Sequence, residues 1–322
     1  GEVIFYFRLQ ELQIINQTFV TEFVLLGFHN LKGFKHIFFF FNLVVYIMTI
    51  CGNLLIIWLV ASNRSLQSPM YFFLTQLSLS DLLLTTDIVP KALNIIWNEG
   101  GRISFSGCIA QFYFFATSIV SECFLLSIMA CDRYLAICNP LRYSSMMNFM
   151  LCMKMVIISW LLSFCIELIV IISLAQLKFC GSKHIDHFFC DISPILDLSC
   201  SDVYPLQLEI IILGVPFSFT PLIIIIVSYM YIVLAVLRIS TTSERQKVFS
   251  TCSSHLIVVS LFYGTLIGTY LLPTKGQSLI VSRAVSLLYT VVIPMVNPII
   301  YSLRNNDIKD GIKKYFIRDH RL

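Results

Sequence analysis

The sequence predicts an all-α membrane protein, a seven-transmembrane helix bundle that ends in a short cytosolic amphipathic C-terminal helix. Of 322 residues, 57% are hydrophobic and 12% charged, with a mean hydropathy of +0.84; soluble domains carry about 25% charged residues. That much apolar side chain has to face lipid or neighbouring helices, which excludes a soluble enzyme. Seven apolar stretches each reach the roughly 20 residues that cross a bilayer. Only short loops and one longer segment, Ala175–Pro205, separate them, and no internal repeat or Gly/Ser-rich linker interrupts the run.

Residues 1–33 read as an extracellular N-terminus. They lack the ordered basic, apolar and small-residue regions of a signal peptide, so the first span, 34–61, is expected to direct its own insertion. The later spans are placed at 70–97, 108–137, 153–174, 206–237, 248–271 and 279–303, and residues 304–322 form a cytosolic tail. Basic residues resist translocation, and with the N-terminus outside, thirteen of the 22 Lys and Arg residues fall on the inner side. Those of the tail suit anionic lipid headgroups, so the net charge of +4 implies a lipid bilayer as partner and no nucleic acid. Asn16-Gln17-Thr18 is a glycosylation sequon on the outer side, whereas Asn63-Arg64-Ser65 fits the pattern but faces inward. Single prolines inside spans, Pro90, Pro216, Pro221, Pro294 and Pro298, each remove a backbone donor and make candidate hinges. A transporter would show paired halves with breaks at matching places, which these unpaired prolines do not form.

Four of eleven cysteines, Cys108, Cys180, Cys190 and Cys200, fall on the outer side, where disulfides persist. Four cysteines permit three pairings. Zinc held by Cys180, His184, His187 and Cys190 is the competing idea, weakened by the oxidising exterior, with the histidines read as solvated loop residues. Asp81 and Glu122 are the acids embedded deepest in the spans and are expected to face each other. Two close carboxylates repel, so one keeps a proton or a cation such as sodium lies between them. Glu167 is a third embedded acid, with no partner legible in the sequence.

Six segments then fall in order: Gly52-Asn53, PMYFFLTQLSLSD ending at Asp81, MACDRYLAIC from Met129 to Cys138, Ser228-Tyr229, KVFSTCSSHL from Lys247 to Leu256, and PMVNPIIYSLRN from Pro294 to Asn305. Together they resemble the olfactory receptors of the rhodopsin-like, G-protein-coupled class, over about Asn16 to Asn305. The departures are Cys131, where a tyrosine is commoner, and Val248, where alanine is usual. The resemblance implies pairing of Cys108 with Cys190 and of Cys180 with Cys200. It also implies a sodium ion between Asp81 and Glu122, helped by Asn53 and Asn297, with no catalytic residue and no other cofactor. Finally, it implies a plasma-membrane receptor coupled to a stimulatory, olfactory-type heterotrimeric G protein that raises cyclic AMP.

Arg133 ends the third span beside Asp132 and Tyr134, and a buried guanidinium needs a partner. Either Asp132 holds it or polar tips near the inner ends of other spans do; Tyr229, His255 and Tyr301 are the candidates, with Asn297 and Pro298 on the same seventh-span segment. A change of partner at Arg133 is the expected switch. For the ligand, Phe112, Phe115, Ala116, Ile119 and Val120 share one face of the third span by helical spacing. Receptors of aminergic type, which this fold resembles, place an aspartate where Phe115 stands. Leu213, Gly214, Phe217, Tyr263, Leu266, Ile267, Tyr270, Leu287 and Thr290 are the facing candidates. Such walls suit a small, neutral, mainly apolar volatile, hydrogen-bonded by Tyr263 or Tyr270. Burying about eight carbons at about 0.8 kcal/mol each, less the cost of association, implies micromolar affinity. A non-volatile metabolite sensed by the same receptor type is the nearest alternative. A small-molecule transporter is more remote, because it needs a continuous polar lining.

Overall fold

The computed structural model describes residues 20–28, 33–180, 182–239, 241–270, 279–304 and 308–309. Asn16, most of the tail and the side chain of Tyr270 lie outside them. Ten α-helices follow in order: α1 Lys35–Ser62, α2 Pro69–Asn98, α3 Phe105–Cys138, α4 Pro140–Met146, α5 Phe149–Ala175, α6 Ile192–Leu196, α7 Tyr204–Leu237, α8 Thr242–Tyr270, α9 Leu279–Leu287 and α10 Ile293–Arg304. Seven spans are long and apolar enough to cross a membrane, with α1, α2, α3, α5, α7 and α8 as the first six and α9 with α10 as the seventh. Ile308 and Lys309 are again helical, with Ile308 buried in the core.

Helix ends run beyond the apolar stretches. The sixth span starts at Thr242, six residues before Val248, because the polar run Thr242–Lys247 holds no Gly or Pro to stop a helix. Hydropathy marks only the part in lipid. The seventh span is not one α-helix, since Leu288–Val292 forms a π turn. Pro294 follows, and its ring would meet the carbonyl of Thr290 four residues back, so the ladder widens there.

The first and seventh spans approach closely at Gly52, where a Cβ would stand 3.1 Å from Pro298 Cγ. The third span runs through the middle, with Cys108, Phe115, Leu125, Met129 and Asp132 all buried along its length. Two large apolar clusters divide the bundle. One surrounds Met129, Tyr229 and Tyr301 at the Asp132 end; the other surrounds Phe112, Phe115 and Phe189 at the disulfide end.

The disulfide end also carries a three-stranded sheet. Strand β1 Glu22–Leu25 lies between β2 Gly101–Ser104, antiparallel, and β3 His184–Ile185, parallel. Phe23 and Leu25 point into the core, the alternation of a half-buried strand. Glu99 and Gly100, at φ 58° and 139°, turn the chain from α2 into β2.

Candidate functional site

A cavity of about 480 Å³ lies within the bundle beneath the short helix α6. The third span supplies Phe112, Phe115, Ala116, Ile119 and Val120, the face that helical spacing had grouped. Leu213 and Gly214 of the fifth span and Tyr263, Leu266 and Ile267 of the sixth stand opposite. The fourth span adds Ile166, Glu167 and Val170, and Ile192 of the long loop closes the top.

That loop is a tethered lid. Disulfide Cys108–Cys190 ties it to the third span, with Cα atoms 5.5 Å apart, and Cys180–Cys200 closes it on itself. The Cys190 amide donates to Gln111 Oε1 at 2.9 Å, and Arg283 of the seventh span pairs with the Asp186 carboxylate. His187 is not a solvated loop residue: it is 3% exposed, packed against Phe188 and Phe189. Burial, with Arg283 nearby, pulls its pKa from 6.5 down to about 3. Both sulfurs of the suggested zinc set are in disulfides, and no cluster of three metal-ligating side chains occurs among the described residues.

At the other end, Asp132 binds two partners. Its Oδ2 accepts from the Arg133 guanidinium and its Oδ1 from Tyr143 Oη at 2.7 Å. Burial and the neighbouring carboxylate raise the Tyr143 pKa above its usual range, so it stays a donor. Among the described residues, none of the candidate partners is bonded to Arg133. Tyr229 Oη bonds His255 Nδ1 at 2.8 Å, and His255 Nε2 lies 3.1 Å from the Leu126 carbonyl; the buried Tyr301 hydroxyl has no hydrogen-bond partner among the described residues.

Midway between these sites, the Asp81 carboxylate accepts from Asn297 Nδ2 at 3.1 and 3.2 Å. Asn53 Nδ2 donates to the carbonyls of Thr49 and Pro294, both at 3.0 Å. Glu122 Oε1, Asn53 Oδ1 and Asn297 Oδ1 are buried oxygens without partners among the described residues. Two carboxylates with spare amide oxygens form the oxygen-only donor set that a hard cation takes.

The olfactory receptor family profile matches residues 41–319. The chain belongs to the olfactory receptor family. It is 47% identical to olfactory receptor 10A7 of Homo sapiens over 299 residues, 93% of this chain and 95% of that one. It is 44% identical to olfactory receptor 1468 of Rattus norvegicus, over 92% of this chain and 95% of that one. Squid rhodopsin has the same fold, with a TM-score of 0.66 at 18% identity, covering 86% of this chain and 83% of the other. The protein is therefore a multi-pass G-protein-coupled signalling receptor, not an enzyme.

In this olfactory receptor, three residues grouped by the sequence reading stand away from the cavity. Phe217 packs its ring on Phe124, 6.2 Å between centroids, because its position on α7 turns it toward the middle of the third span. Leu287 packs with Val45, Val89 and Leu93 of the first two spans. Thr290 donates within its own helix to the Ser286 carbonyl at 2.7 Å. Tyr134 stacks near Tyr231 rather than on Arg133. The sequence reading missed Tyr143, which lies in the helix after the third span, and the role of Glu167. The sole signal for Glu167 was an acid in an apolar run.

Proposed function

We propose that this olfactory receptor binds a small, mainly apolar volatile in the cavity beneath α6 and activates a stimulatory olfactory-type heterotrimeric G protein, raising cyclic AMP. One observation carries the reading: an apolar cavity of about 480 Å³ lies under a doubly tethered lid in a chain of this family, within the size range of small-molecule sites. The receptor sits in the plasma membrane with its N-terminus and disulfides outside, an orientation supported by the basic residues of the opposite side and by the persistence of disulfides in oxidising surroundings. Ligand binding shifts a two-state bundle. In the resting form Asp132 holds Arg133; in the active form Arg133 turns to the polar tips around Tyr229 and Tyr301, opening the G-protein site. A sodium ion held by Asp81, Glu122 and the free oxygens of Asn53 and Asn297 favours the resting form.

Cyclic AMP measured in cells that carry an olfactory-type G protein, against a panel of volatiles, tests this reading. Wild type is expected to respond and Arg133→Ala to be silent at equal surface delivery. A full response from Arg133→Ala overturns the switch, and a silent wild type at the surface overturns the volatile ligand. Agonist potency is expected to fall with sodium in wild type and not in Glu122→Gln; equal potency with and without sodium removes the cation from the scheme.

A further inference from the structure

Among the side chains that line the cavity, Glu167, Ser218 and Tyr263 alone are polar. Tyr263 is engaged. Its Oη donates to the Ser218 carbonyl at 3.3 Å, and the Ser218 side chain is a hydroxyl that can both donate and accept. Glu167 differs. It is 8% exposed, it lies on the fourth span between Ile166 and Val170 of the same wall, and no described residue donates to its carboxyl group. Tyr113, which lies within electrostatic reach of it, spends its hydroxyl on the Phe164 carbonyl at 3.2 Å.

A carboxyl group in an apolar wall without a partner is costly. Of the other embedded acids, Asp81 has Asn297 and Asp132 has Arg133 and Tyr143; Glu122 Oε1 and Asp87 Oδ2 are buried without partners among the described residues, but neither residue lines the cavity. Among the described acids Glu167 alone lines the space that a ligand can fill, and in its ionised form it accepts hydrogen bonds only.

We propose that Glu167 is the polar anchor of the ligand site, and that the ligand class is a small apolar skeleton ending in an O–H or N–H donor, an alcohol or an amine. The ligand's donor points to the fourth span, while its carbons lie along Phe112, Phe115, Ile119 and Leu266. Aldehydes, ketones, esters and ethers, which only accept, cannot meet the ionised carboxylate and bind more weakly to that form. This inference rests on the volatile-ligand reading above and narrows it.

The test uses six-to-ten-carbon linear, branched and cyclic skeletons, each as the alcohol, the amine, the carbonyl compound and the methyl ether. Two readouts are taken on the full-length receptor: cyclic AMP potency in cells, and thermal stabilisation of the purified protein, which needs no G protein. On responding skeletons the alcohol or amine is expected to exceed its methyl ether by about tenfold or more, the discrimination of a hydrogen bond to a charged group. Glu167→Leu should erase that margin and leave the ethers within about threefold of wild type, and Glu167→Gln, whose amide both donates and accepts, should narrow the alcohol margin and lose the amine margin. Ethers or carbonyl compounds that match the donors in wild type overturn the anchor without any variant, and so does a margin that survives in Glu167→Leu. Stabilisation with the donor preference but without cyclic AMP upholds the anchor and overturns the coupling. A wild type silent in both readouts overturns the volatile-ligand reading and the anchor with it.

Discussion

At the disulfide end, a covalent bridge, a three-stranded sheet, an ion pair from Arg283 and stacked rings around His187 all hold the same loop. At the opposite end, one carboxylate, Asp132, carries both Arg133 and Tyr143, and Tyr229 is bonded to His255 instead. The lid is over-determined, so the loss of one contact leaves others in place. The inner lock depends on a few side-chain hydrogen bonds that have alternative partners nearby, which is the property a two-state switch requires. A receptor needs both: a preformed pocket that loses little freedom on binding, and a distant contact weak enough for ligand binding to tip.

The largest expected effect breaks the rigid end. Cys108→Ser opens a loop with 82 residues of sequence separation and should cost about 2–5 kcal/mol, seen as lost surface delivery and a lower melting temperature. Cys180→Ser opens a span of 20 and should cost about 1 kcal/mol less. Next, Arg283→Ala removes a guanidinium that is 6% exposed and paired with Asp186; a stability loss of about 1–3 kcal/mol is expected in thermal unfolding, with basal signalling unchanged. On the flexible end, Tyr143→Phe deletes one hydrogen bond to Asp132 without disturbing packing. Basal cyclic AMP should rise about fivefold, the effect of roughly 1 kcal/mol on a two-state balance, while stability changes little. If Tyr143→Phe lowers stability as much as Arg283→Ala does, the contrast between the two ends fails.

The smallest effect is in pH. His187 in the closed lid stays neutral down to about 3, whereas in an opened loop it would take a proton near 6.5. The opened form then binds more protons below 6.5, so lid stability is complete above that value and falls as pH falls toward 3. Protection factors of residues 184–190, corrected for the intrinsic pH dependence of amide exchange, should therefore fall between about pH 7.5 and pH 5, and His187→Phe should flatten that dependence.

Much of the bundle was legible along the chain because each span is locally apolar and long, and the cavity face of the third span followed from helical spacing. Asp132 beside Arg133 is a neighbour pair, so their contact needed no fold to foresee. Leu287 and Thr290 do not line the cavity, since which face of the seventh span meets it depends on packing against other helices that a hydropathy pattern does not record. His187 looked like a solvated loop residue because its cover, Phe188, Phe189 and Arg283, is assembled from the lid and a span nearly one hundred positions later.

By itself, the sequence determined that this chain inserts seven helices and belongs with receptors of one type, since insertion depends on local apolar length and the family on ordered local motifs. Which acid meets the cavity was decided only by tertiary structure. Asp81, Glu122 and Glu167 all lie inside apolar spans along the chain, yet packing gives Asp81 the amide of Asn297 and sets Glu122 against Asp81. It leaves Glu167 at the wall of a cavity, because the partners of a buried charge come from other helices, whose facing positions are fixed only when the bundle closes.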